Sequence, residues 1–145
     1  MDLRFKTEEF NFGMRASVVI LNKEKDKVFV HHALDKKHRA LPGGGIEGLE
    51  LAKDAALREL KEEIGADIEV KNCIAVIENF FKVKEKPLHE VQFVFLAEFK
   101  DEKLYEKETF EPCEEHKKGK IEFMYIPVDK LDEYDLKPDC MRKII

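Results

Sequence analysis

The chain has 145 residues, 26 lysines and arginines against 31 aspartates and glutamates, a net charge of −5, and 43% hydrophobic and 39% charged residues. An acidic balance argues against nonspecific electrostatic binding to DNA or RNA, although a local basic patch is compatible with it. Eleven phenylalanines exclude the composition of a disordered chain, and the length suits one domain over 1–145.

Ala16 to Leu21, aliphatic apart from Ser17, is far too short to span a bilayer. Met1-Asp2-Leu3-Arg4-Phe5-Lys6 lacks the apolar core of a signal peptide. Cysteines are odd in number and scattered (Cys73, Cys113, Cys140), so no disulfide framework is implied. A cytoplasmic chain with no membrane or DNA partner is expected.

Arg15 to Asn22 is rich in β-branched residues and predicts a strand, paired through the turn-like Lys23–Asp26 with a second strand over Lys27 to His32. His31 and His32 are adjacent, so on a strand they point to opposite faces and do not share a ligand. A basic connector, Lys36-Lys37-His38-Arg39, leads to Leu41-Pro42 and to Gly43, Gly44, Gly45 and Gly48. Glycine at that density marks backbone with positive φ or a close approach. Leu51 to Ile64 has no Gly or Pro and predicts the one long helix, with Gly65 as its C-terminal stop. Further strands are expected over Ile68–Val70, Ile74–Phe81 and His89–Phe99. In the last, Val91, Phe93, Phe95, Ala97 and Phe99 alternate onto one core-facing side. Asp101–Lys120 predicts a charged loop or lid, Ile121–Ile126 a strand, and Val128 onward one or two short helices. Strands around a single long helix predict an α+β sandwich rather than a parallel doubly wound sheet.

Glu59, Glu62 and Glu63 fall within an arc of about 100° on that helix. They also lie in its last two turns, where each carboxylate costs about 0.3–1 kcal/mol against the dipole and each like-charge pair about 0.2–0.5 kcal/mol. Asp54, Arg58 and Lys61 form a separate, solvent-type face, whereas the glutamates share their side with Leu51, Ala52, Ala55 and Ala56. Carboxylates beside a surface of small residues call for a cation. All the donors are hard oxygens, which suits Mg²⁺ or Mn²⁺ better than Zn²⁺. A glycine-rich loop beside them offers carbonyls to a metal and N–H groups to a phosphate. The combination suggests phosphoryl chemistry with a metal-activated water.

Gly44 to Ala66 resembles the Nudix box, G-x5-E-x7-R-E-U-x-E-E-x-G-U, through Gly44, Glu50, Arg58, Glu59, Leu60, Glu62, Glu63 and Gly65, with Ala66 a weak aliphatic at the last place. Leu41-Pro42-Gly43-Gly44 resembles the lead-in of the Nudix family, and Ile126-Pro127 followed by Val128–Leu131 its final strand-to-helix passage. The resemblance spans the chain and implies a Nudix-type α/β/α sandwich with a mixed β-sheet. It implies that Glu59, Glu62 and Glu63 hold divalent ions with the Gly43 carbonyl, that Glu50 orders the loop or the metal waters, that Arg58 orients the glutamates, and that Glu59 is the first choice of general base. Two departures stand out. Gly48-Leu49-Glu50 replaces the usual Pro-Gly-Glu, and Arg39 stands where many members carry an aromatic.

Outside the box, Glu90 is the first choice for an added metal-binding acid, since with Gln92 it lies opposite the phenylalanine stripe. Glu114 or Glu115 is the alternative. Arg15 and Arg39 are candidate phosphate clamps. Glu78 and Phe80 are candidate substrate contacts, with Phe80 and Phe81 able to stack on a base or to serve as core. Cys113-x2-His116 has no second half and is not read as a zinc site. The expected activity is Mg²⁺-dependent (Mn²⁺-tolerant) hydrolysis of a small nucleotide, led by a nucleoside triphosphate, damaged or not, giving a nucleoside monophosphate and pyrophosphate. ADP-ribose, a dinucleoside polyphosphate and a non-catalytic nucleotide sensor are the alternatives, capped RNA is the least favoured, and a homodimer is compatible with the reading.

Overall fold

A computed structural model describes all residues, 1–145. Ten strands and one α-helix form in the order β1 Arg4–Lys6, β2 Asn11–Val19, β3 Lys27–Ala33, β4 Arg39–Ala40, β5 Gly43–Gly45, α1 Ala52–Ile64, β6 Ile68–Val83, β7 Lys86–Phe99, β8 Thr109–Phe110, β9 Ile121–Pro127 and β10 Leu136–Lys137. One sheet has the order β1-β2-β7-β6, with β5 added to β2, and the other the order β10-β4-β3-β9-β8. Strand β2 organises the first. It pairs in parallel with β7 along its whole length, and it takes β1 and then β5 in antiparallel register on its other edge. The tight connection from β2 to β3, where Phe29 N donates to Ile20 O at 2.9 Å, joins the two sheets.

Alternation along the strands makes two buried clusters. Ala16, Val18, Phe95, Ala97 and Phe99 meet Ala55, Ala56 and Leu60 of α1 on one side. Val19, Ile77 and Val94 meet Leu131, Leu136 and Met141 of the C-terminal segment on the other. The sheet layer therefore lies between α1 and the C-terminal turns, which is the expected α+β, α/β/α arrangement with mixed sheets. Helix α1 is anchored by its small face. Ala52, Ala55, Ala56 and Leu60 repeat at three- and four-residue spacing, and complete burial of Leu60 contributes about 2 kcal/mol. Gly65, with φ 69°, ends the helix, its N–H donating back into the last turn.

Several elements differ from the sequence reading. Strand β2 begins at Asn11, four residues early, because β1 and the start of β7 both supply partners there. The two expected strands over 68–70 and 74–81 are one sixteen-residue strand, β6, with bulges between Val70 and Ala75. Its outer edge pairs with no other strand. The 101–120 segment is no free lid. It makes short 3₁₀ turns over Glu102–Tyr105 and Glu115–Lys117, and between them β8 buries Phe110 against Phe29 and Phe99. After Val128 come 3₁₀ turns at Val128–Lys130 and Asp139–Lys143, with β10 between them.

Candidate active site

The site begins where β5 passes beneath α1. A β-carbon at Gly44 would lie 2.2 Å from the Glu59 carboxyl carbon, and one at Gly43 2.0 Å from the Ala16 carbonyl oxygen. Only glycine lets the loop backbone approach both the helix acids and β2 this closely. The sequence expectation of a close backbone approach is met at these two positions.

Arg58 is the hub of the glutamates. Its Nε and Nη2 donate to the two Glu50 oxygens at 2.9 and 3.0 Å, its Nη1 to Glu59 Oε1 at 2.9 Å, and Nη2 also to the Gly45 carbonyl at 2.9 Å. Glu62 lies at the limit of its reach, 3.3 Å from Nη1. Arg58 is thus not part of the solvent face to which its spacing from Asp54 and Lys61 assigns it. A guanidinium among three acids is drawn to them rather than to water. Lys61 does point away, to Asp67 at 3.2 Å. Glu50 is held below the usual carboxylate range by the Arg58 hydrogen bonds, and its Oε1 also accepts the Glu47 N–H at 3.0 Å.

Glu59 and Glu63 shift the opposite way. Burial raises Glu59, against the pull of Arg58. Burial pushes Glu63 up to about 7, with Glu59 and Glu114 adding repulsion and Arg15 and Lys117 opposing it. Glu63 is 8% exposed and its Oε2 is buried without any hydrogen-bond partner. Glu62 is half-exposed. No three His, Cys, Asp or Glu side chains stand together as a ready metal site, yet the donors present fit a hard divalent cation. They are oxygens only, and one of them is an orphaned buried carboxylate oxygen of the kind a cation satisfies.

A second polar line crosses the sheet on the face that carries Arg15. Arg15 Nε donates to Ser17 Oγ at 3.2 Å and Nη2 to the Leu41 carbonyl at 3.1 Å. Ser17 Oγ donates to Gln92 Oε1 at 2.6 Å, and Gln92 Nε2 donates to Glu90 Oε1 at 3.1 Å. A guanidinium only donates and an ionised carboxylate only accepts, so the two ends set the direction of every proton between them. Ser17 and Gln92, at 0% and 4% exposure, were not singled out in the sequence. The signal was a lone hydroxyl in Ala16–Leu21 and a lone amide among Val and Phe. Arg15, Gly45 and Glu90 line a cavity of about 310 Å³. A larger apolar hollow of about 410 Å³ lies at the β6–β7 hairpin, against Phe80, Phe81 and His89.

Most of the remaining candidates fall elsewhere. Arg39 is turned to Tyr134, its guanidinium carbon 5.1 Å from the ring centre, and donates to the Lys37 carbonyl at 2.7 Å. Phe80 is 70% exposed, with its ring against His89. Glu78 is exposed on the same face of β6. Glu114 pairs with Lys117 at 3.0 Å and does stand by the site, its charge acting on Glu63, whereas Glu115 pairs with Lys118 at 3.1 Å. Cys113 and His116 form no metal group. His31 and His32 do separate. His32 Nε2 lies 2.8 Å from the Lys36 carbonyl oxygen, whereas His31 packs on Phe123 with Nδ1 buried and unpartnered. Burial, then the Arg15 and Lys117 charges, lower the His31 pKa to about 4.

The fold is a mixed-sheet α/β/α sandwich whose glycine strand lies against the acidic end of one helix. The NUDIX domain profile matches residues 11–145, and the chain belongs to the Nudix family of hydrolases acting on pyrophosphate bonds. Among solved structures, a Nudix-family hydrolase from Clostridium perfringens shares 21% identity at a TM-score of 0.63, over 91% of this chain and 94% of that one. A MutT Nudix hydrolase from Burkholderia pseudomallei shares 21% at 0.61, over 81% and 84%. An ADP-ribose pyrophosphatase from Streptococcus suis shares 18% at 0.56, over 81% and 75%. No curated protein matches the chain. No helix is long and apolar enough to cross a membrane.

Proposed function

We propose that residues 1–145 act as one hydrolase domain that cleaves a pyrophosphate bond in a small nucleotide with Mg²⁺, or Mn²⁺ in its place, and that a nucleoside triphosphate is the leading substrate. The observation that carries this reading is the Glu63 carboxylate, buried with an orphaned oxygen beside the Glu59–Gly44 contact. An uncompensated buried carboxylate is costly in a resting protein and useful in one that takes up a cation.

The Gly43 carbonyl, Glu59, Glu62 and Glu63 would hold the ion, with Glu114, whose charge acts on Glu63, as the added acid. Glu90 shares the sheet face of Val94, away from α1. Once bound, the ion polarises a phosphoryl oxygen and acidifies a water. Arg58 keeps Glu59 and Glu62 oriented, and its bonds to Glu50 and the Gly45 carbonyl fix the loop against the helix. Glu59 takes the proton from the attacking water. That water's oxygen forms the new bond to phosphorus, the bridging P–O bond breaks, and its electron pair leaves with pyrophosphate, giving a nucleoside monophosphate. Arg15 neutralises phosphate charge, because its guanidinium is met only by neutral acceptors. Phe80 offers an exposed face to a base, with Glu78 on the same face of the strand, and Arg39 serves as a more distant cation.

A panel of nucleoside triphosphates (intact and oxidised), ADP-ribose and dinucleoside polyphosphates, assayed with and without Mg²⁺, tests the proposal. Mg²⁺-dependent release of pyrophosphate from a triphosphate is expected. Binding of nucleotides with no product from any of them would favour a sensor and overturn the enzymatic reading.

A further inference from the structure

Residues 1–10 lie outside the region matched by the family profile, yet Met1–Lys6 is built into the site. Leu3 N donates to the Ile46 carbonyl at 2.7 Å, Met14 N to the Leu3 carbonyl at 3.0 Å, and Gly48 N to the Met1 carbonyl at 2.8 Å. These bonds clamp the arm to β2 and to the loop between β5 and α1. Strand β1 then places Arg4 opposite Gly13 and Lys6 opposite Asn11. The Arg4 guanidinium lies over Gly45, where a β-carbon would meet its Nη2 at 3.0 Å.

The arm and Arg15 therefore face one cavity of about 310 Å³, lined also by Phe5, Asn11 and Glu90. Its charge is unbalanced. Arg4 has a partner in Asp2 at 3.4 Å. Arg15 is satisfied by a hydroxyl and a carbonyl, and Lys6 makes no ion pair, so two cations at this mouth meet no carboxylate within 4.0 Å. In a chain of net charge −5, a concave patch of this sign concentrates anions. Phe5, between Arg4 and Lys6 on β1, turns to the other face, where its half-exposed ring stacks on Phe12 with ring centres 5.0 Å apart, leaving Arg4 and Lys6 on the side of Arg15.

We propose that the N-terminal arm completes, with Arg15, a subsite for the anionic tail of the substrate, so that the enzyme prefers nucleotides ending in a polyphosphate over nucleoside diphosphates joined to an uncharged group. The inference rests on the pyrophosphohydrolase reading above and deepens it. Lys6 acts at the tail through charge, and Arg4 shapes the wall above Gly45. The arm's share of the preference, Lys6 and Arg4, comes from residues outside the matched region, and Arg15 from within it.

The test compares wild type with Lys6→Ala, Lys6→Glu and Lys6→Arg on a nucleoside triphosphate and on a nucleoside diphosphate-hexose. Binding of inorganic tripolyphosphate to the Mg²⁺-free protein is measured by calorimetry alongside. The ratio of the triphosphate KM to the diphosphate-hexose KM is expected to rise about five-fold in Lys6→Ala and further in Lys6→Glu, with recovery in Lys6→Arg. Tripolyphosphate binding should weaken in the same order. Equal changes in both KM values, with tripolyphosphate binding independent of residue 6, would overturn the subsite. If wild type cleaves neither nucleotide while tripolyphosphate binding still tracks residue 6, the hydrolytic reading falls and the anion subsite stands.

Discussion

The Arg58 guanidinium and the Glu50 carboxylate meet as a two-point fork, Nε to Oε2 at 2.9 Å and Nη2 to Oε1 at 3.0 Å. The fork ties the middle of α1 to the loop that precedes it, and the same guanidinium reaches Glu59 and the Gly45 carbonyl. A lysine ammonium is a point donor and does not reproduce this geometry. Arg58→Lys is expected to cost about 1.5–3 kcal/mol in urea unfolding. It should also lower kcat while moving KM little, because it disorders the acids rather than the substrate contacts.

Glu63→Gln separates stability from function. Removing the unpaired buried charge should raise the melting temperature in a chelating buffer, by about 1 kcal/mol or more of stability. Wild type should gain thermal stability on adding Mg²⁺, and Glu63→Gln and Glu62→Gln should gain less. Turnover should fall at least about 100-fold in each. Turnover that survives both substitutions would remove these residues from the site.

His31 provides a pH signature. Its pKa in the folded chain is about 4, against 6.5 when solvated. Above pH 6.5 the ring is neutral in both states and contributes nothing. Between 6.5 and 4 the unfolded chain takes up a proton that the folded one refuses, so folding weakens as pH falls. At pH 5 the cost is about 2 kcal/mol. Urea unfolding of wild type and His31→Gln at pH 7.5 and pH 5 should show the variant losing less stability on acidification.

The Arg15–Ser17–Gln92–Glu90 line calls for a double-mutant cycle. Ser17→Ala or Gln92→Leu alone strands a buried polar partner, at about 1–3 kcal/mol each. Together they remove both neutral links, and the combined cost should be smaller than the sum. Stability should then recover while kcat/KM stays low, since Arg15 and Glu90 have lost their supports. Parallel recovery of both quantities would assign the line a purely structural role.

Leu49 has φ 67° and is fully exposed at the loop tip, where the usual Nudix pattern has glycine. A left-handed backbone costs a leucine about 1–2 kcal/mol. Leu49→Asn should therefore raise stability by about 0.5–1 kcal/mol, read as an upward shift in melting temperature, with the Glu50–Arg58 fork intact.

The sequence disclosed the box because its spacing is a helical spacing: Glu59, Glu62 and Glu63 are tied to one another by the geometry of α1 alone. For Arg58 the helical wheel and the box disagree, the wheel placing it on the solvent side and the resemblance making it the partner that orients the glutamates. A helical wheel carries no information about Glu50, which arrives from a loop and draws the guanidinium off the solvent side. Strand β6 looked broken at Lys71-Asn72 because polar, exposed residues in a bulge resemble a turn. Strand β1 escaped notice since three residues have no periodicity, and its order comes from partners on β2 and the glycine loop. Ser17 and Gln92 were hidden by apolar neighbours, as their pairing spans 75 positions and is set by the parallel register of β2 and β7. Phe110 sat in a charged stretch that suggested mobility, and only the aromatic cluster around Phe29 shows why that stretch is pinned.

The unpaired outer margin of β6 carries a hazard of its own. Sixteen residues of extended backbone with Val76 and Phe80 bared to water are a template on which a second chain could propagate a growing sheet. The kinked stretch between Val70 and Ala75 interrupts the flat run such stacking needs, and Lys71, Glu78 and Lys82 place charges along it. Straightening that kink or neutralising those charges would expose the chain to filament growth without touching a single catalytic group.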